Sequence, residues 1–302
     1  MLAGEILTYP LRVLSKEQRD FYFAQGYLLV EKLIDDDCLD RLRTVTDEFV
    51  ERGRSTVMTN TAFDIAPGHC PEQPRLRRLN TPDQCHPTYW EFATGIIADL
   101  AADLVGPNVT FHHSKLNFKW SEGADGVDWH QDICFYPHSN YSPLTIGTYL
   151  ADTKSNHGPV AVIAGSHEGP LYDHYDSDSD WAGRLSDSDV ARLDLSEVKY
   201  LSGPAGSITV HNCRTIHGSR PSDAGDGRPL LLNAYASADA TAYSALDPPA
   251  RSFHSGEIVR GVLPVQAHVD PRPCAMPPDW SDGNTSIYAN QSGAHKIIRP
   301  DV

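Results

Sequence analysis

The chain has no apolar run approaching the roughly 18 residues that a membrane-spanning helix needs. Its N-terminus shows no basic segment followed by an apolar stretch, so no signal peptide is expected. Cysteine is sparse: six occur among 302 residues, with no C-x-x-C pair, which leaves no zinc knuckle and no disulfide framework. A reducing, cytoplasmic setting is the expectation. Positive charge is also short. Lys and Arg number 25 against 40 Asp and Glu, a net charge of −15, which argues against nucleic acid and anionic membranes as partners. A G-x-S-x-G elbow is missing, so Ser-His-Asp hydrolysis is not supported. Glycine-rich phosphate loops and repeats of solenoid length are missing too.

What is present suits an ordinary buried core: 40% of residues are hydrophobic and 22% charged. With no linker in view, residues 1–302 read as a single domain. The acidic runs Asp35-Asp36-Asp37 and 173–194 read as solvated surface. Helix signals gather in a first part, about 15–105. Ser15 with Gln18 is a capping box for a helix that should end near Gly26. Tyr27 to Val30 fits a strand. From Asp35 to Arg52, Leu39, Leu42, Val45 and Phe49 form one helical stripe, and Gly53 fits the stop. Residues 54–87 carry many Pro, Gly, Asn and Thr and read as an irregular loop over the active site. Thr88 to Val105 reads as one helix, with Phe92, Ile96, Leu100 and Leu104 on one face.

Short strand signals follow, over about 109–237. They are Val109–Trp120, Leu144–Leu150, Val160–Ile163, Ser207–His211, Ile216–Ser219 and Pro229–Tyr235, separated by Gly, Pro, Asn and Asp turns. The predicted fold is mostly β with flanking helices: a double-stranded β-helix of the jelly-roll or cupin kind. From about 247 to 302 proline is frequent and periodicity fades, which predicts an extension wrapping the barrel, partly mobile.

The run Val127-Asp128-Trp129-His130-Gln131-Asp132 contains His-x-Asp. In an extended segment, alternation puts His130 and Asp132 on one side. A distant His217 would complete a 2-His-1-carboxylate set, which leaves positions open on Fe(II). Arg228, one strand on, can grip a carboxylate with a two-pronged fork. His-x-Asp alone is weak in a chain with 14 histidines. Parity adds to it: if His217 points inward, so does Ser219. His113, Lys115, Asn117 and Lys119 form a polar row, and such a row facing into a barrel is costly unless something inside needs it.

Five segments, in order, carry a resemblance to a known family. They are Gly26 to Ile34, His113 to Lys119, Trp129 to Asp132, Asn156 to His167, and His211 to Ser219 with Arg228. From about Gln25 to Tyr235 the chain resembles the phytanoyl-CoA dioxygenase family, which includes ectoine hydroxylase. The fourth segment is similar to the family's N-G-P-L-x-V-I-P-G-S-H turn, with Ala164 where proline is common. The resemblance implies Fe(II) held by His130, Asp132 and His217, with 2-oxoglutarate and O2 as co-substrates. It places Arg228 and Ser219 on the distal carboxylate of 2-oxoglutarate, and Asn117 on another co-substrate contact. His113 stands where ectoine hydroxylase has a glutamine. The implied reaction oxidises a small-molecule metabolite or natural-product intermediate and releases succinate and CO2. Related halogenases carry Ala or Gly at the carboxylate position, so Asp132 favours hydroxylation.

Two other readings stay open at this point. One is a cupin-like metal sensor or isomerase without 2-oxoglutarate turnover. The other is an interaction protein with a coincidental motif. His167 reads as a turn brace, His112, His138 and His157 as surface or loop residues, and Cys134 and Cys213 as small inward-packing thiols.

Overall fold

The computed structural model describes residues 1–120, 126–224, 228–244, 251–270, 272–279 and 287–293. Among the described residues twelve strands run in chain order: β1 Tyr27–Val30, β2 Phe63–Ile65, β3 Leu76–Asn80, β4 Val109–Asn117, β5 Val127–His130, β6 Leu144–Tyr149, β7 Ala161–Ile163, β8 Val198–Tyr200, β9 Ile208–Asn212, β10 His217–Ser219, β11 Leu230–Ser237 and β12 Ile258–Arg260. An eight-stranded sheet has the order β1-β9-β6-β11-β4-β3-β2, with β12 also on β4. A four-stranded sheet has the order β5-β10-β7-β8. The pairings are antiparallel, and the two sheets make the predicted double-stranded β-helix.

Two of the four apolar clusters among the described residues pack against the large sheet and between the sheets. Helices cover the outer face of the large sheet, where Leu42, Ile97 and Leu100 pack on Phe111, Leu116, Ile146 and Leu231. Between the sheets, Tyr149, Val160, Val162, Leu230 and Leu232 form a smaller core. The capping box predicted at Ser15 is present. Ser15 accepts from Gln18 N over the helix Lys16–Gln25, and Gly26 ends it at φ 76°. Asp35 caps Asp36–Gly53, whose buried stripe is Leu39, Leu42, Val45 and Phe49.

Some expectations need correction. Residues 54–87 are not an irregular loop: β2 and β3 lie there, and β3 extends the large sheet through Arg78↔Asn117. The helix expected over 88–105 is two, Pro87–Ala93 and Ile96–Val105. Arg260 causes the break to be stable. It donates to the carbonyls of Thr94 and Gly95 and pairs with both oxygens of Asp99. The break shifts the helical phase, so Ile97 is buried and Ile96 is exposed. The C-terminal extension is built into the fold where it is described: β12 pairs with β4, and the helix Ile287–Gln291 docks on β5 through Gln291. Residues 247–250, 271, 280–286 and 294–302 of that extension lie outside the described residues. No helix among the described residues is long and apolar enough to cross a membrane.

Candidate metal centre

Two neighbouring strands of the small sheet bring the site together. His130 ends β5, His217 begins β10, and the two are direct cross-strand partners. Their rings lie 4.0 Å apart. Asp132 follows His130, but it does not lie on the strand as the alternation argument assumed. It opens a 3-10 turn, Asp132–Cys134, and only Gln131 between them is extended. Gln131 is fully buried, and its amide bonds to Arg214 O, Pro170 O and Tyr172 N. Those bonds pin the turn and set the two ligands side by side. Asp132 Oδ1 sits 3.8 Å from His130 Nε2 and 3.7 Å from His217 Nε2. One ligand atom from each of the three residues lies within 4.8 Å of the others.

Protonation is set by neighbours. His130 Nδ1 lies 2.9 Å from Asp128 O, and His217 Nδ1 lies 2.9 Å from Thr215 O. A carbonyl can only accept, so both Nδ1 atoms carry hydrogen and both Nε2 lone pairs are free. Burial pushes the His130 imidazole down to about 4, and holds His217 well below its ordinary value, so both are neutral near pH 7. Burial alone would push the Asp132 carboxyl up. His217, His211 and Lys115 outweigh it and keep it well below the usual carboxylate range. Asp132 Oδ2 is already taken, by Thr145 Oγ1 at 2.8 Å and His211 Nε2 at 3.3 Å. Oδ1 is left for a cation. Two neutral imidazoles and one oriented carboxylate oxygen suit Fe(II) by donor type.

A cavity of about 60 Å³ opens at these ligands. Asn117, Ser219 and Arg228 line it, with Lys115, Thr145 and His211. A cleft of about 860 Å³ adjoins it through Val127, Ser219 and Tyr288. Arg228 is 2% exposed, yet its Nε and Nη1 have no hydrogen-bond partner among the described residues. A buried guanidinium with idle donors fits a carboxylate that belongs in the cavity. Ser219 Oγ accepts from Lys119 Nζ at 2.7 Å. Asn117 Oδ1 accepts from Arg78 Nε at 2.9 Å.

His113 is not among the residues lining the cavity. It lies deeper on β4, buried, with Nδ1 at 2.7 Å from His112 Nδ1. A bulge puts His112 opposite no residue of β11, so both rings face the interior. His112 and His138 are therefore not surface residues: their rings sit 5.0 Å apart, beside Tyr136. His167 does brace its turn, through Nε2 to Phe23 O at 3.0 Å. Cys134 and Cys213 are buried free thiols. Sequence reasoning missed Thr145, His211 and Gln131 as supports, because nothing local joins β6 or β9 to Asp132. The shared parity of His211 with His217 was the one available signal.

Comparison with known proteins agrees with this geometry. The profile of the phytanoyl-CoA dioxygenase (PhyH) family matches residues 22–229. A probable alpha-ketoglutarate-dependent hypophosphite dioxygenase of Stutzerimonas stutzeri is 32% identical over 231 residues, 74% of this chain and 79% of that protein. An ectoine dioxygenase of Bordetella bronchiseptica is 25% identical over 259 residues, 78% of each. The crystal structure of EctD from S. alaskensis with 2-oxoglutarate and 5-hydroxyectoine shares the fold, with TM-score 0.66 and 17% identity over 88% of this chain and 92% of that one. The chain belongs to the phytanoyl-CoA dioxygenase family and is a 2-oxoglutarate-dependent non-haem iron dioxygenase.

Proposed function

We propose that the chain, acting as one oxygenase domain over 1–302, hydroxylates or otherwise oxidises a small-molecule metabolite or natural-product intermediate. The observation that carries the site assignment is the pairing of the neutral His130 and His217 and the ionised Asp132 with the idle buried donors of Arg228. In this reading His130 Nε2, Asp132 Oδ1 and His217 Nε2 hold Fe(II). Arg228 and Ser219 hold the distal carboxylate of 2-oxoglutarate, and Asn117 contacts the same co-substrate. His113, off the cavity wall, supports that layer from behind through His112. Bound there, iron and 2-oxoglutarate supply the oxidation, with O2 consumed and succinate and CO2 released.

The residues' own task is positioning. Backbone carbonyls hold both imidazoles in one tautomer. Thr145 and His211 fix which oxygen Asp132 presents. Val160, Leu230 and Leu232 make the apolar part of the cavity wall. A sensor or isomerase would keep the three ligands but would have no use for Arg228, so the idle guanidinium favours the dioxygenase. Six free cysteines suit a reducing, cytoplasmic setting. The two relatives' names point to different substrates, hypophosphite and ectoine, and do not select one for this chain. Succinate formation from 2-oxoglutarate by the Fe(II)-loaded protein, screened over metabolites, tests the reading. Stoichiometric iron with no 2-oxoglutarate binding would refute it in favour of a sensor or isomerase.

A further inference from the structure

Half of the cysteines meet in one place. Cys134 and Cys213 share an apolar cluster with Ile133, Tyr175 and Trp181, and Cys274 packs against it. Cys134 closes the turn that Asp132 opens. Cys274 arrives from the extension after the barrel. Its sulfur lies 3.9 Å from Ile133 O, and the Cys134 and Cys274 thiols are hydrogen-bonded to each other. Cys213 is engaged elsewhere, with its sulfur 3.8 Å from Tyr141 O.

The contact is held from both sides. Asp270 N donates to Ser139 O, and Asp270 Oδ2 accepts from Tyr141 N at 2.8 Å. Met276 O accepts from the Tyr175 hydroxyl at 3.3 Å. Residues 272–276 between these anchors form no helix or strand, so Cys274 can give when an S–S bond of about 2.0 Å closes. The two thiols are unequal. Cys134 is 2% exposed, whereas Cys274 is half-buried. The neighbouring Cys134 thiol holds Cys274 below its ordinary value against the effect of burial, while burial pushes Cys38 and Cys85 up. The thiolate is the reactive form, so Cys274 is the sulfur that a dissolved oxidant meets, and Cys134 is placed to resolve it. Neither thiol lines the cavity at the metal ligands or the adjoining cleft, so the chemistry there makes no use of them.

We infer that Cys134 and Cys274 are a peroxide-sensitive dithiol that closes reversibly into a disulfide, fastening the C-terminal extension to the turn that opens with Asp132. The Cys274 sulfur attacks one oxygen of hydrogen peroxide and the O–O bond breaks, which leaves a sulfenic acid and releases water. The Cys134 sulfur then attacks the Cys274 sulfur, the S–O bond breaks, and a second water leaves with the Cys134 proton. Two electrons pass from the sulfurs to the peroxide, and a dithiol reductant reverses the change.

Peroxide titration of the full-length protein tests it, with redox-inactive Zn(II) in stoichiometric amount at the His130, Asp132 and His217 site. Samples are quenched with N-ethylmaleimide and mapped by peptide mass spectrometry. One equivalent of peroxide should consume two thiols and yield a single crosslinked pair, Cys134 to Cys274, which dithiothreitol reopens. Cys38, Cys70, Cys85 and Cys213 should be recovered as maleimide adducts. Cys274→Ser, checked as native by circular dichroism, should slow oxidation of Cys134 about tenfold or more. Cys213→Ala should leave the crosslink unchanged. A crosslink through Cys213, Cys274 driven to sulfinic acid while Cys134 stays reduced, or equal loss of all the thiols would overturn the inference. So would a Cys274→Ser protein whose Cys134 oxidised at the wild-type rate.

Discussion

Replacing Arg228 by Met removes a guanidinium that is 2% exposed and has two idle donors, Nε and Nη1. Without co-substrate, those donors have lost water and gained nothing. Their main compensation is the Tyr149 ring, 5.9 Å away, a contact worth about 0.5–1 kcal/mol or somewhat more when desolvated. An unsatisfied buried charged donor costs more than that. The variant should therefore unfold at the same temperature as wild type, or higher, when 2-oxoglutarate is absent.

With 2-oxoglutarate the order reverses. A hydrogen bond to a charged group contributes about 1.5–3 kcal/mol, and Arg228 offers two to the far carboxylate. Their effects are not additive, so the expected loss is about one to three orders of magnitude in affinity. At one hundred times the wild-type Kd, ligand binding stabilises wild type by about 2.7 kcal/mol. At roughly 2 °C per kcal/mol for a chain of this size, that is near 5 °C in Tm. A variant bound a hundredfold more weakly gains only about 0.4 kcal/mol at the same concentration, under about 1 °C. Thermal unfolding of the metal-loaded protein, with and without 2-oxoglutarate, reads both signs. Lys at this position should restore part of the shift, because a point charge lacks the fork. An undiminished 5 °C gain in Arg228→Met would refute the assignment.

Other outcomes are expected. His130→Ala and His217→Ala should each lose stoichiometric Fe(II), measured by metal analysis, while circular dichroism stays native; retained activity in either would remove it from the ligand set. Thr145→Val should cost about 10–100-fold in iron affinity by metal competition, because Asp132 Oδ2 loses its shorter bond; an unchanged affinity would leave His211 as the sole orienting group. Wild-type turnover in chloride should give product without chlorine by mass spectrometry, since Asp132 fills the position a halide would need.

The features legible in the sequence are those with local causes. Ser15 and Gly26 act on their own backbone neighbours, and the structure places both where the reading put them. His130 and His217 were found by motif, and the antiparallel register makes them partners. The missed features have causes far away in the chain. Leu76-Arg77-Arg78-Leu79 reads as polar loop because the interior use of Arg78 depends on Asn117, on another strand. The break at Thr94–Gly95 depends on Arg260, from the extension after the barrel. The bulge that turns His112 inward shows only in the pairing with β11. In each case a charged or polar residue obeys a partner that periodicity cannot see.

The two sheets divide the work, and this bears on how such a site can change. His130, Asp132 and His217 belong to the small sheet and the turn after it. Lys115, Asn117, Thr145 and His211 belong to the large sheet, and Arg228 stands just before its strand β11. Thr145 and His211 reach across to Asp132, so metal geometry depends on closure of one sheet on the other. Lys115 touches none of the ligands through a hydrogen bond. A substitution there leaves the iron's donors in place but removes one of the charges that hold Asp132 ionised. The polar row on β4 that looked expensive from sequence is therefore tied to the metal centre by charge, and to the large sheet by its own strand pairing.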